Sequence, residues 1–516
     1  MLDSLGKMLE VLLLKRLEDN IEKLGGLSPM QHGFRKGKST VDAISEVVNR
    51  ATQAKLNGEY CAIITLDVKN AFNTVKWKVV LGALKNRGVD KYLYNIIADY
   101  LNNRTLLYDT ENGIKEYKIT AGVPQGSVLG PFLWNVMYDG LLNLDLQDGA
   151  KLVGYADDIA LVINQKTPEL VEIIANDSLS RCSRWLWRNG LQLAVPKTEA
   201  ILVTNRRVFK TPELFLQETF IPLKRSLCYL GIQLDDKLGF AQHVRNIRDK
   251  ALKSATSLAR IMPNTGGPKP HIRQLINSVV LSQILYAAPS FVRALEFKSN
   301  IRELQKPQRL TALRTISAYR TVSTSAALVL AGLPPIDLLL LEKREIYAQT
   351  KNIGCDRNDT NEYSRKMSEI KEKARNNLIG KWQERWNQED TGRWTYNLIP
   401  NIRVWITRKH GNMGYYLTQA MTDHGNFNKY LHRFKLRNTS RCDSCDTLEE
   451  NAKHVLFECE NWMEERQTLY DKLGETLTPE NIVNVMLSHI DAWNLCENYI
   501  ERILRRKCNV VPNLRT

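Results

Sequence analysis

The chain predicts an α+β fold: helices packed behind an antiparallel sheet through about residue 235, then a helical half that carries a small cysteine–histidine module. Three observations predict it. Two apolar runs flank adjacent aspartates in Leu152-Val-Gly-Tyr-Ala-Asp-Asp-Ile-Ala-Leu-Val-Ile163, and a third run, Cys61-Ala-Ile-Ile-Thr-Leu66, ends on Asp67. From about residue 236 the pattern turns helical, and near the C-terminus Cys442, Cys445, His454 and Cys459 stand at close spacing.

Residues 1–60 read as helical and basic, ending in a Gly-rich loop. The opening helix carries Leu5, Met8, Leu9 and Leu12 on one face, broken by Lys15 and Arg16, and lacks the apolar core and cleavage site of a signal peptide. Residues 61–66 read as a strand buried on both faces, and one carboxylate at its end is odd unless it holds something. The Gly/Pro-punctuated loop Ala121-Gly-Val-Pro-Gln-Gly-Ser-Val-Leu-Gly-Pro131 enters a helix over Phe132 to Leu142. Its exposed backbone and Gln125 suit a close approach to a nucleotide or template.

Residues 152–163 read as a β-hairpin that lifts Asp157 and Asp158 onto its tip. Carboxylates crowded in this way repel one another, and a divalent cation removes the repulsion. Asp67 and the Asp157/Asp158 pair would converge from neighbouring strands on two metal ions. Such a pair stabilises both the attacking and the leaving oxygen in phosphoryl transfer.

Helical candidates at 236–262 and 270–298 are parted by the breaker Pro263-Asn-Thr-Gly-Gly-Pro-Lys-Pro270, and residues 355–390 are strongly charged and helix-prone. The pattern C-x2-C-x8-H-x4-C at 442–459 makes a complete tetrahedral shell for structural Zn²⁺, with no open position for chemistry. Arg433, Lys435, Arg437 and Arg441, with Phe434, Phe457 and Trp462, interleave charge and rings in a way that suits RNA or single-stranded DNA. The last helical segment ends in Arg505-Arg-Lys507.

Composition agrees. The 516 residues carry a net charge of +16, which favours polyanion partners bound with salt-dependent affinity. No lipidation signal is present, and the longest apolar stretch, around Ile276 to Ala288, is too short and polar to span a membrane, so no membrane partner is expected. Nine cysteines in so long a chain do not make a disulfide scaffold, which points to a reducing compartment: nucleus, cytoplasm or both.

Six motifs in one order carry a family resemblance: Gln31-His-Gly-Phe-Arg-Lys-Gly-Lys-Ser-Thr40, Asp67 to Phe72, Pro124-Gln-Gly126, Tyr155-Ala-Asp-Asp158, Leu193-Ala-Val-Pro-Lys-Thr-Glu199 and Tyr229-Leu-Gly231. Together they resemble the reverse transcriptase of non-LTR (LINE-type) retrotransposons, above all the arthropod elements that insert into ribosomal DNA or telomeric repeats. The resemblance implies a right-hand polymerase. Residues 1–60 would be fingers, 61–235 the palm with a finger insertion near 85–118, and 236–345 a helical thumb. A helical connector (346–429) and the zinc knuckle with a C-terminal helical segment (430–516) would follow.

The resemblance also implies roles. Asp67 and Asp157 would bridge two Mg²⁺, with Asp158 as the third acid and the Val68 backbone carbonyl as a further ligand. Phe72 would be a steric gate against a 2′-hydroxyl. Arg35 and Lys36, with Lys38 beside them, would grip the triphosphate, and Gln125 and Gly126 would lie against the nucleotide. Lys197 would protonate the departing pyrophosphate. Tyr229, Leu230 and Gly231 would form the primer grip, and Lys306, Arg309, Arg314 and Arg320 would touch the duplex backbone. The partners implied are an RNA template, a DNA primer or target, and dNTPs.

Two departures qualify the resemblance. The chain starts inside what resembles an early fingers motif, without the preceding strand, and without the endonuclease that nicks the target in such elements. It therefore looks like a fragment of a longer reading frame. The competing expectation is a catalytically impaired remnant that only binds RNA or DNA. No ribonuclease H carboxylate set is evident after the thumb segment.

Overall fold

The computed structural model describes residues 4–123, 126–265, 267–353, 360–445 and 447–510. The chain divides into two compact units, residues 1–243 and 244–516.

The described residues of the first unit form eleven strands: β1 (Tyr60–Leu66), β2 (Thr105–Thr110), β3 (Gly113–Lys118), β4 (Ala150–Tyr155), β5 (Asp158–Gln165), β6 (Glu199–Val203), β7 (Leu214–Leu216), β8 (Thr219–Ile221), β9 (Leu223–Lys224), β10 (Ser226–Tyr229) and β11 (Ile232–Asp235). Five of them form one sheet in the order β4-β5-β1-β6-β9. All its pairings are antiparallel except the short contact of β6 with β9. The apolar run at 61–66 is the reason β1 takes the middle: six of its seven residues are buried, and only a central strand covered on both faces can hide them.

The covering layer is helical. Thr40–Leu56 packs against β1, β4 and β5, and Pro168–Arg188 packs against β5, β1 and β4. Both start on designed-looking ends. The Asp42 carboxylate reaches back to the Ser39 N–H (2.7 Å), and Thr167 accepts from Leu170 N–H with Pro168 at the first helical position. Gly130–Leu142 is buried almost all round, and one apolar core joins Leu17 and Ile21 of the Ser4–Lys23 helix to the sheet, to Gly130–Leu142 and to Pro168–Arg188. The Gly-rich loop lies between the first two helices, at 24–39, rather than after them. The sequence pattern around Thr40–Leu56 was continuous enough to hide that break.

The expected insertion near 85–118 contains the Lys91–Leu101 helix and the β2–β3 hairpin, whose residues are nearly all exposed. β10 and β11 form a separate two-stranded hairpin, and the chain from 236 to 240 is still non-helical, so the helix expected at 236 begins at Ala241.

The described part of the second unit is helical. Pro270–Ile284 stops short of the expected 298, because Ala287 adopts a left-handed φ of +48° before a new helical turn begins at Ala288. Lys298–Thr315, Ile336–Lys351 and the long charged helix Thr360–Gln388 follow, and Ile490–Val510 is the last. Among the described residues no single helix is long and apolar enough to cross a membrane; two bent helix pairs reach that length and composition together.

One buried charge ties the loop before the 31–40 motif to the core. Asp139, with its side chain 1% exposed, accepts from Ser28 N–H (2.6 Å) and Asn143 Nδ2 (2.6 Å) and pairs with Arg87, which also donates to the Gly26 carbonyl (2.8 Å). Removing one partner strands the other. We expect Asp139→Ala to destabilise the first unit by about 3 kcal/mol, read as a lower urea midpoint for its unfolding transition.

Candidate active site

β1 and β5 pair over seven positions, from Tyr60 opposite Gln165 to Leu66 opposite Ile159. Continued by one residue, that register sets Asp67 opposite Asp158. The β4–β5 hairpin closes with Tyr155 opposite Asp158, so Ala156 and Asp157 are the two turn residues and Asp158 is the first residue of β5. The sequence expectation of two aspartates on the tip is met by Asp157 alone. Asp158 stands one step down the strand, on the side of Asp67.

Two backbone hydrogen bonds extend β1 past its end: Lys69 N–H to the Gln192 carbonyl and Ala194 N–H to the Asp67 carbonyl, both 2.8 Å. They flank the bridge between Val68 and Leu193. In an antiparallel ladder this makes Val68 a non-hydrogen-bonded partner, so its own carbonyl points to the opposite edge, that of β5. From Leu193 the chain makes a short turn over Val195–Lys197 before rejoining the sheet as β6. That turn delivers Lys197 to the acids: its Nζ lies 2.8 Å from Asp67 Oδ2.

The electrostatics follow from three like charges gathered at one edge. Burial, then the neighbouring Asp157 and Asp67, push Asp158 up from 3.8 to about 6, with Lys197 opposing. Asp157 is raised by burial and by Asp67. The hydrogen bond to Asp67 raises Lys197 in turn, which keeps it charged. The carboxylate oxygens do not form a tight group. Among the described residues, only Cys442, Cys445, His454 and Cys459 have ligand atoms all within 4.8 Å of one another. The donor set still fits hard divalent cations: three carboxylates and a backbone carbonyl at one edge, with two of the acids held above their usual range by repulsion and burial.

The acidic turn is braced from behind. Trp134 Nε1 donates to the Ala156 carbonyl (3.2 Å) and the Tyr138 hydroxyl to the Asp157 carbonyl (3.1 Å). These two residues are one helical turn apart on Gly130–Leu142 and their rings are 4.8 Å apart. Phe72 continues the row, 4.8 Å from Trp134 and edge-on to Phe34 at 5.9 Å. The loop 30–33 is strapped to β4 by His32 N–H to Gly154 (2.8 Å) and Gly154 N–H to Met30 (2.9 Å). Gln31 and Asn135 also bond across this seam. Gly33 is required there, since a Cβ would stand 2.2 Å from Ala156 N.

The other expected site residues are placed as follows. Arg35 donates through Nη1 to the carbonyls of Leu27 (3.3 Å) and Ser28 (2.7 Å), and Lys38 to that of Pro29; Lys36 is exposed. Gly126 is exposed with φ +84°, while Gln125 lies outside the described residues. Leu230 and Gly231 form a two-residue turn with both φ positive, the type I′ pattern. Buried Tyr229 beside it hydrogen-bonds the Val153 carbonyl of β4 (3.5 Å), and burial, then Asp158, raises its phenol. In the second unit Arg309 donates to Thr324, Arg320 and Val322 of its own unit, and Lys306 pairs with Glu303, so both serve local structure.

The residues that sequence reasoning missed are Gln31, Gly33, Trp134 and Tyr138. The first two stood inside a quoted motif, and the second two form an i, i+4 aromatic pair on a helix whose burial all round concealed any face.

The acidic edge, its brace and the surrounding sheet occupy a segment with a family match. Residues 1–234 match the profile of the reverse transcriptase (RNA-dependent DNA polymerase) family. This segment is a reverse transcriptase domain. Over its full length the chain is 28% identical to the retrovirus-related Pol polyprotein from type-1 retrotransposable element R1 of Bradysia coprophila, covering 51% of that protein. It is 31% identical to the RNA-directed DNA polymerase from mobile element jockey of Drosophila melanogaster, over 48% of this chain and 28% of the other. The chain thus spans about half the length, or less, of these curated relatives. The telomerase of Candida albicans overlaps 71% of this chain and 58% of its own at 14% identity, with a TM-score of 0.32, too loose a superposition to argue from.

A second candidate metal site belongs to the second unit. Cys442 Sγ and Cys445 Sγ are each 3.9 Å from Cys459 Sγ, and Cys445 Sγ is 3.2 Å from His454 Nε2. Thiolates on one tetrahedral Zn²⁺ with bonds of about 2.3 Å stand about 3.8 Å apart, so the donors fit. Burial holds the His454 imidazole below its usual value, in the neutral form a ligand needs, and Glu458 Oε2 stands 3.9 Å from its other nitrogen. The eight described cysteines are all free thiols.

The raised Asp158 has a testable sign. The folded state binds its proton more tightly than the unfolded chain does, so the associated loss of stability is absent below about pH 4, grows through about pH 6, and is complete above. In EDTA, we expect Asp158→Asn to melt with the wild type at about pH 4 and above it at about pH 7. Parallel melting curves across that range would refute the assignment.

Proposed function

We propose that this chain is an RNA-directed DNA polymerase of a non-LTR retrotransposon, extending a primer 3′-hydroxyl along an RNA template with dNTPs. The observation that carries the reading is the gathering of Asp67, Asp157 and Asp158 at one edge of β1 and β5 inside a reverse transcriptase domain. Asp67, Asp157 and the Val68 carbonyl would hold two Mg²⁺, with Asp158 assisting. When bound, those ions supply positive charge to the attacking and leaving oxygens.

The remaining roles belong to this chain's own side chains. Phe72, backed by Trp134 and Phe34, is a rigid half-buried ring suited to excluding a 2′-hydroxyl. Arg35, held by the carbonyls of Leu27 and Ser28, would face the triphosphate with Lys36 and with the Gln125–Gly126 loop. Lys197 stays protonated against Asp67 and so has a proton to give to departing pyrophosphate. The Tyr229–Gly231 turn, anchored on β4, would set the primer end. Residues 1–60, 61–235, 236–345 and 346–429 would be the fingers, palm, thumb and connector of a right-hand polymerase. In an intact element the primer would be a nicked chromosomal end.

The Cys3His group would bind one structural Zn²⁺ as a knuckle, and the exposed stretch Arg433 to Leu436 before it suits RNA or single-stranded DNA. Free thiols throughout the described residues accord with a nuclear or cytoplasmic setting.

Primer extension on poly(rA)/oligo(dT) with Mg²⁺ tests the reading. The wild type should incorporate dTTP and reject UTP, and Asp157→Asn should lower the rate by at least about a hundredfold while leaving duplex binding intact. Phe72→Val should raise UTP use by about tenfold or more. Duplex binding that is salt-sensitive but never followed by extension would favour the binding-only remnant. For the knuckle, Cys442→Ser should release about one zinc per chain by atomic emission; an unaltered zinc content would remove that assignment.

A further inference from the structure

Ala156 is the first of the two residues in the acidic turn and has a φ of +58°. Glycine is the usual occupant of a positive-φ position in such turns, and an alanine held there costs about 1–2 kcal/mol. Strain of this kind persists only where the surroundings over-determine the conformation.

Here the surroundings are chiefly one buried carboxamide. Gln31, 1% exposed, accepts from Ala156 N–H through Oε1 (3.1 Å) and donates from Nε2 to the Ala156 carbonyl (3.3 Å). Its side chain therefore pairs with both main-chain polar groups of that residue, as a neighbouring strand would. The same Oε1 accepts from Gly33 N–H (2.9 Å), which fixes which end of the carboxamide faces the turn. Asn135 Nδ2 in turn holds the Gly33 carbonyl (2.9 Å), and the absent side chain of Gly33 allows the approach. Asp157 follows Ala156 directly, so the dihedrals of Ala156 set where the Asp157 carboxylate points.

We propose that Gln31 is a positioning residue for the acidic turn: its carboxamide fixes Ala156 in the left-handed conformation and thereby aims Asp157. The inference rests on the reading of Asp157 as a cation-binding carboxylate of a polymerase. A displacement of about 1 Å at such a group costs on the order of a hundredfold in rate.

Three readouts on the full chain test it: hydrogen exchange of the peptide spanning 152–159, Mn²⁺ binding by electron paramagnetic resonance, and dTTP incorporation resolved into kcat and KM. Gln31→Leu removes every bond of the clamp. Gln31→Glu keeps the acceptor for Ala156 and Gly33 and loses only the donor. A control is available in buried Gln308, which makes the same double pairing elsewhere, with the Pro334 carbonyl (2.8 Å) and Ile336 N–H (2.9 Å).

We expect Gln31→Leu to exchange faster in 152–159, to bind Mn²⁺ more weakly, and to lose about tenfold to a hundredfold in kcat with KM for dTTP within about twofold. Gln31→Glu should lose less on each count. Gln308→Leu should melt earlier yet keep its kcat per folded molecule. Unchanged exchange in Gln31→Leu would overturn the clamp. Faster exchange with unchanged Mn²⁺ binding and kcat would overturn the positioning role, as would losses that merely track the folded fraction. A wild type that neither binds Mn²⁺ nor extends a primer would instead overturn the polymerase reading, and the exchange data would still decide the clamp.

Discussion

The register between β1 and β5 is the constraint on which the site depends. Seven residue pairs fix it, and six of the seven residues of β1 and five of the eight of β5 are buried, so a slip of one residue would turn each side chain into packing shaped for its neighbour on the opposite face. That cost, paid by residues with no chemistry, holds Asp67 opposite Asp158. The acidic edge is thus a consequence of hydrophobic burial. The carboxylates themselves repel and would not come together on their own.

A second layer of order lies behind the edge. The turn that carries Asp157 receives its hydrogen bonds from side chains of the 31–33 loop and the Gly130–Leu142 helix, rather than from another strand. The loop is in turn anchored through Ser28 to Asp139 on the same helix. Loop, helix and hairpin therefore form a closed set of contacts, in which each member fixes the other two. Phe72 joins this set through Trp134, so the residue beside the carboxylates and the residues beneath them share one aromatic row. Lys197, set on Asp67 by its short turn, offsets part of the repulsion that burial would otherwise leave among the three acids.

The second unit follows a different logic. Its described residues are helical, and its Cys3His group brings four ligand atoms within 4.8 Å of one another. Several arginines that look from sequence like contacts for a polyanion are engaged with their own unit. Arg309 closes the 320–324 segment and Arg314 donates to Asn264 Oδ1 (3.4 Å). Charge on a helix face is therefore a weak guide to a partner here, whereas Arg433 and Lys435 keep exposed side chains beside the exposed ring of Phe434.

What the sequence by itself determined is the local chemistry. Periodicity showed the β1 and β4–β5 strands, because apolar runs ending in acid have few other readings, and fixed spacing showed the cysteine–histidine group, because four ligands lie within eighteen residues. Motif order showed the family. Tertiary structure decided what depends on long-range contact. It placed Asp157 in the turn and Asp158 on the strand, since the closing pair Tyr155–Asp158 is set by the whole hairpin register. It drew Lys197 onto Asp67 across 130 residues of chain, and turned Arg35 partly inward to the carbonyls of Leu27 and Ser28. It also revealed Gln31 as the partner of Ala156. A side chain that pairs with a backbone 125 residues away leaves no periodicity or composition by which a sequence could disclose it.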